Sequence, residues 1–283
     1  KLAKMNLAIR GIAANLGAVP ADTFAKDQHK DLKADFIMAN PPFNQKNWRA
    51  VNELQDDPRW KGYDVPPIGN ANYGWILHMV SKLSENGVAG FILANGALSG
   101  GGEEYKIRRK LIENDLVEAI IIIPRDTFYT TDISVTLWIL NKNKKARNVQ
   151  INNIEKNYRD RSKEILFVDL RRWGSEYEKK FIQLTNEDIT TVALNYHNWQ
   201  QAGHSSTYRN VPEHCYSASY EEVKANDYSL VPSKYIEFID ADDNLDFESE
   251  MERIQGAFKR LMREEQESQA QLLEAFKVLG YEL

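Results

Sequence analysis

"LVEAIIIIPRDTFYTTDISVTLWILNK", residues 116–142, decides how this chain folds. Two apolar runs, 116–124 and 133–142, are each of strand length and rich in β-branched residues. Only eight residues separate them. A parallel pair needs a crossover of about a dozen residues or more, so these strands must be antiparallel. The chain before them has another rhythm. "ADFIMAN" (34–40) reads as a strand and "WILHMVSKLSE" (75–85) as a helix stopped by Asn86-Gly87. "VAGFILAN" (88–95) is a strand again and "EEYKIRRKLIEND" (103–115) a helix. Alternating strands and helices, with nearly continuous apolar strands, predict a parallel sheet covered by helices on both faces. The fold class is therefore α/β, a doubly wound sheet that closes on an antiparallel strand.

Working outward, "KLAKMNLAIRGIAANLG" opens in mid-helix, with Leu2, Met5, Ile9 and Ile12 at helical spacing and neither a cap nor an initiating Met before them. Residues 44–72 are polar, aromatic and punctuated by Pro and Gly, which predicts a long ordered loop. Beyond Lys145 come a strand, "EILFVDL" (164–170), and a helix, "NEDITTVALNYHNW" (186–199), begun by Thr185. A short helix capped by Ser219 follows over 219–227. An acidic patch, "DADDNLDFESE" (240–250), leads into a last helix. There Met251, Ile254, Phe258, Leu261, Leu272, Phe276 and Leu279 recur at a spacing near about 3.5, interrupted at Glu265 and Ser268. A helix packed on its own domain and a helix laid on a partner both explain that seam. Three divisions result: 1–163, 164–238 and 239–283.

The 283 residues, 42% hydrophobic and 27% charged, suit a soluble globular protein with a substantial core. No apolar run approaches the roughly 18 residues of a membrane span. One cysteine, Cys215, excludes an intramolecular disulfide, and no cysteine–histidine cluster has zinc spacing, so no metal site is expected. A reducing, cytoplasmic setting is the default. A net charge of −5 does not suit a chain that binds nucleic acid unaided.

The chemistry lies in Asn40, Pro41, Pro42 and Phe43, directly after the strand at 34–40. Ligands of open α/β sheets bind beyond the carboxyl ends of the strands. Two prolines fix φ and remove two amide donors, which leaves a stiff row of acceptors. Asn40 Oδ1 and the Pro41 carbonyl suit an amino group with two hydrogens to donate, and Phe43 offers a ring to stack on. An ordinary Asn-Pro turn closing a strand would use the same residues without any ligand.

This motif resembles the catalytic motif of amino methyltransferases that use S-adenosylmethionine. Longer stretches resemble one branch of them, the modification (methylation) subunits of type I restriction–modification systems. They are "LAKMNLAIRGI" (2–12), "ADTF" (21–24), "ADFIMANPPFN" (34–44), residues 72–124, "FYTTDISVTLWILNK" (128–142) and "NDYSLVPSKYI" (226–236). The resemblance implies a Rossmann-like methyltransferase sheet, incomplete at its N-terminal side, followed by a mostly helical C-terminal region. It implies methylation of adenine at N6 in double-stranded DNA, with the target base flipped out. Asn40, Pro41, Pro42 and Phe43 would form the catalytic loop, and Phe128 a second stacking face for the base. Asp22 would accept a hydrogen bond from the cofactor's adenine amino group, with Phe24 beside that ring. Tyr73, Trp75 and His78 match family positions, where packing explains them better than catalysis.

The implied partners are a specificity subunit, a second modification subunit and a restriction subunit, in a prokaryotic cytoplasm. Residues 1–163 would be part of the catalytic domain, 164–238 its extension, and 239–283 an acidic linker and docking helix. The family's glycine-rich cofactor loop belongs before residue 1; "SGGGEE" (99–104) lies elsewhere in the pattern. The chain alone is therefore expected neither to bind the cofactor well nor to methylate. Two alternatives stay open: a protein-glutamine or RNA amino methyltransferase, and a non-catalytic module that assembles on a specificity subunit.

Overall fold

A computed structural model describes residues 2–129, 132–151, 153–178, 180–239 and 247–278. The two apolar runs of 116–142 form β3 (Val117–Ile122) and β4 (Val135–Asn141), paired antiparallel with Ile120 opposite Trp138. All six residues of β3 are buried, as in a strand covered on both faces. β1 (Ala34–Ala39) and β2 (Leu83–Ala94) run parallel to each other, and β2 pairs antiparallel with β4. β4 is thus inserted between β2 and β3. Beyond β3 the sheet continues through β7 (Glu164–Asp169), parallel to it, and β10 (Cys215–Ser219), antiparallel to β7. The order is β1-β2-β4-β3-β7-β10. Two small hairpins, β5–β6 (Arg147–Ile151, Ile154–Tyr158) and β8–β9 (Ser175–Tyr177, Phe181–Gln183), stand apart from it.

Helices α2 (Asn72–Lys82) and α3 (Gly102–Glu113) bury Tyr73, Ile76, Leu77, Ile107 and Leu111 against one face, beside Phe91, Leu93 and Trp138. On the other face α4 (Asn186–Gln200) brings Trp199 onto Ala119, Ile121, Leu166 and Val168. The capping boxes Thr185–Asp188 and Ser219–Glu222 start α4 and α6 (Tyr220–Ala225), where the sequence places helix starts. α1 (Leu2–Ile9) and the one-turn α5 (His204–Thr207) are short.

Three features differ from the sequence reading. α2 ends at Lys82, because Leu83 is already extended and starts β2. The Asn86-Gly87 pair lies where the register between β1 and β2 shifts, not at a helix end. A Cβ on Gly87 would fall 2.7 Å from the Ala34 carbonyl oxygen, so any side chain there would wedge the two strands apart. Third, Cys215–Ser219, which the sequence does not mark as a strand, forms β10 and pairs with the expected strand β7. Two compact units result, Lys1–Phe238 and Ile239–Leu283. The second contains α7 (Phe247–Val278); residues 240–246 of the acidic patch, and Leu279 of the seam, lie outside the described residues.

The buried charges are tied together. Glu118 on β3 is fully buried and accepts hydrogen bonds from Arg161 Nε (2.9 Å), Asn141 Nδ2 (2.5 Å) and Gln200 Nε2 (3.1 Å). This joins the sheet, the segment before β7 and the end of α4 at one point.

Candidate active site

Asn40 follows β1 directly, at the edge where β1, β2, β3 and β7 all end. Its side chain is exposed, while Pro41 is buried, Pro42 exposed and Phe43 half-buried. Among the described residues no hydrogen bond reaches the Asn40 side chain or the Pro41 carbonyl. Both acceptors remain available to a ligand.

The long loop behind them is laced shut. Asn44 has a left-handed backbone (φ 51°) and would be costly to hold there alone. A reciprocal amide pair holds it: Asn44 N donates to Asn72 Oδ1 (3.0 Å), and Asn72 Nδ2 donates to Asn44 Oδ1 (2.9 Å). Asn72 is fully buried in the first turn of α2. Asn47 N donates to Ile68 O (3.0 Å), Ala71 N to Gln45 O (2.9 Å) and Trp48 Nε1 to Pro67 O (2.8 Å). The acceptor loop is thereby clasped to α2, the best-packed helix on that face. The sequence shows the motif but hides the clasp, whose partner lies 28 residues away. "GNAN" (69–72) was its one visible sign.

Asp22 uses one carboxylate oxygen to accept from Phe24 N and Ala25 N, both at 2.8 Å. The carboxylate is exposed, and its Oδ2 makes no hydrogen bond to the described residues, so it fits an amino group arriving from outside. Phe24 differs from the expectation of a ring beside the cofactor. It is only 2% exposed, with its centroid 4.4 Å from Trp48 and 4.3 Å from Trp75. Both indoles meet the ring at a tilt, of 52° and 51°. Arg59, which the sequence did not single out, anchors this loop by donating to Thr23 O (2.9 Å) and Phe24 O (2.6 Å). Burial raises the Asp57 carboxyl, but hydrogen bonds from Arg59, 2.7 Å away, outweigh this and hold it below its usual range.

Of the family-matched helix residues, Tyr73 is fully buried and donates to Ala97 O (2.6 Å), and Trp75 packs on Phe24. His78 Nδ1 lies 3.3 Å from Arg59 Nη1. Burial, with the Arg59 guanidinium beside it, pushes the imidazole down to about 4, so it is neutral near pH 7. Phe128 is half-buried on the strand connection that leaves β3 at the same edge as Asn40, next to Tyr129, which packs edge-on against Phe181. A cavity of about 830 Å³ lined by Lys26, Lys33, Lys82 and Lys142 sits at the opposite, amino edge and includes none of residues 40–43. No group of His, Cys, Asp or Glu among the described residues could hold a metal ion.

The chain is similar to several known proteins. The family model described as N-6 DNA Methylase matches residues 1–244. The HindI methylase subunit of a type I restriction enzyme from Haemophilus influenzae is 39% identical over 100% of this chain and 60% of its own length. The MjaIX methylase subunit of Methanocaldococcus jannaschii is 34% identical over 99% of this chain and 48% of its own. The chain thus spans 48% to 60% of the length of these curated relatives. Among solved structures, the methyltransferase subunit of a type I restriction-modification system from Streptococcus thermophilus superposes with a TM-score of 0.69 at 26% identity, covering 84% of this chain and 46% of that one.

Proposed function

Because the chain belongs to the N-6 DNA methylase family, we propose that it acts within the modification subunit of a type I restriction–modification enzyme, methylating adenine at N6 in DNA. The observation that carries this is the pair of unengaged acceptors, Asn40 Oδ1 and Pro41 O, clasped rigidly at the carboxyl edge of the sheet. A flipped adenine would donate both N6 hydrogens to them and stack on Phe43, with Phe128 as the second face. Accepting both hydrogens favours a more tetrahedral nitrogen and aims its lone pair away from the ring. S-adenosylmethionine, when bound, supplies the electrophilic methyl group. Asp22 offers its Oδ2 to the cofactor's adenine amino group, while Phe24 and Arg59 support that loop from beneath. Orientation and fixed dipoles supply the rate, and no residue here need form a covalent bond.

The seam of α7 supports docking on a specificity subunit. Met251, Ile254, Phe258, Leu261 and Leu272 are 37–62% exposed on that helix. DNA recognition delegated to a partner also fits a net charge of −5.

The test is methyl incorporation into duplex DNA by the assembled enzyme, followed by nucleoside analysis. N6-methyladenine is expected. Asn40→Ala should lower kcat by about 10²–10³-fold, the scale of removing one preorganised transition-state partner. Methylation of protein or RNA instead of DNA, or full activity of Asn40→Ala, would overturn the proposal.

A further inference from the structure

A second cavity, of about 680 Å³, opens on the same edge of the sheet as Asn40 and is not used by the chemistry above. Asn95, which follows β2, Pro124 after β3, Ser134 before β4 and Arg171 after β7 all line it. Its lining combines apolar side chains, among them Leu98, Ile122 and Ile182, with the hydroxyl and amide groups of Ser99, Ser134 and Asn95. Its charged lining residues are Arg125, Arg171 and Asp126. No aromatic side chain lines it, so it is not shaped to stack a base.

Arg171 is held in a way the fold does not require. Asp169, 3% exposed, accepts from Arg171 Nε (2.9 and 3.0 Å) and Nη2 (2.6 Å). Burying a carboxylate under a surface arginine carries a desolvation cost that an apolar pair would avoid. What it achieves is a fixed guanidinium plane, further braced by the Phe238 ring 5.6 Å away. Arg171 Nη1 makes no hydrogen bond to the described residues. Arg125 is exposed and tethered to Asp132, through its carbonyl (3.2 Å) and, more loosely, its carboxylate (3.8 Å).

Asn40 and Pro41 can grip a base, but neither offers charge to the backbone that carries it. We propose that this cavity holds a phosphodiester of the DNA strand bearing the target base, with Arg171 as the fixed contact and Arg125 as the mobile one. Phosphate accepts from a guanidinium fork in the geometry that Asp169 imposes on Arg171. The hydroxyl and amide groups of the lining suit the remaining phosphate oxygens and the sugar. The inference rests on the DNA reading given above.

The experiment uses the assembled enzyme and a set of DNA duplexes. Each duplex carries one neutral methylphosphonate at a different position within a few nucleotides of the target adenine. Affinity is measured by fluorescence anisotropy for wild type, Arg125→Ala and Arg171→Gln. Arg125 is exposed, so its variant reports even if Arg171→Gln fails to fold over the buried Asp169. Each variant should bind about 10-fold more weakly, with the slope of log affinity against log salt shallower by about one. At one methylphosphonate position the effect of Arg125→Ala should vanish, because both changes remove the same contact. Unchanged affinity, or losses that add at every position, would overturn the inference. Methylation measured in parallel keeps the two proposals apart. An enzyme that binds by these rules but modifies no adenine refutes the function and not the contact.

Discussion

Asn72 has no direct place in the chemistry, yet it decides where Asn40 can be. Its amide satisfies both the N–H and the side-chain oxygen of Asn44, one residue past the Asn-Pro-Pro-Phe motif. Asn72→Ala should therefore cost about 1–3 kcal/mol of stability, the penalty for two polar groups left unsatisfied. It should also lower kcat more than it raises the KM for DNA, because misplacing acceptors weakens the transition state first. Steady-state kinetics beside denaturant unfolding checks both. His78 carries a pH effect. Its folded value near 4 lies below the ordinary 6.5, so unfolded chains take up a proton that the native state refuses. Stability should hold above pH 6.5 and fall as pH drops from 6.5 to about 4, by roughly 3 kcal/mol at most. His78→Gln, which keeps an acceptor for Arg59, should flatten that fall in urea titrations at pH 7 and 4.5. At this scale the motif was legible because it is contiguous. The Asn44–Asn72 clasp and the Arg59 anchor were not, since each joins residues brought close only by folding.

Among the elements, strands were most legible where both faces are covered. β3 and β4 announce themselves by unbroken apolar runs, and their short connection dictated the antiparallel pairing. β10 was missed because "CYSAS" is short, small and partly polar, and the strand it pairs with, β7, lies about fifty residues earlier. α2 was read too long because "SKLSE" continues a helical period, while the pull of β1 on Leu83 is tertiary. The Glu118 junction is also an element-scale device, since it bonds β3, the end of α4 and Arg161 together. Arg161→Ala should destabilise by about 3–5 kcal/mol by stranding a buried carboxylate. Arg161→Ala with Glu118→Leu should recover part of that loss, which chemical denaturation can resolve.

For the whole molecule, the two compact units suggest separable duties. Removing 239–283 should leave the thermal transition of the remaining chain within a few degrees. It should abolish co-purification with a specificity subunit. Loss of the transition itself would mean that the helix belongs to the core.

One consequence of the sheet order concerns β1. Among the described residues it is hydrogen-bonded on one side only, by β2, and it shows Phe36 and Met38 at 79% and 93% exposure. The asparagine proposed to grip the base therefore hangs from a strand free to fray along its outer margin. Its outward amide protons should exchange with deuterium far faster than those turned toward β2. Such a margin also templates further strands, so copies of this chain should self-associate as concentration rises, and Met38→Lys should suppress that in light scattering. Whatever covers the margin would then act as a stiffener. It would sharpen catalysis without touching substrate, and β1 would be the point where assembly and turnover are mechanically joined.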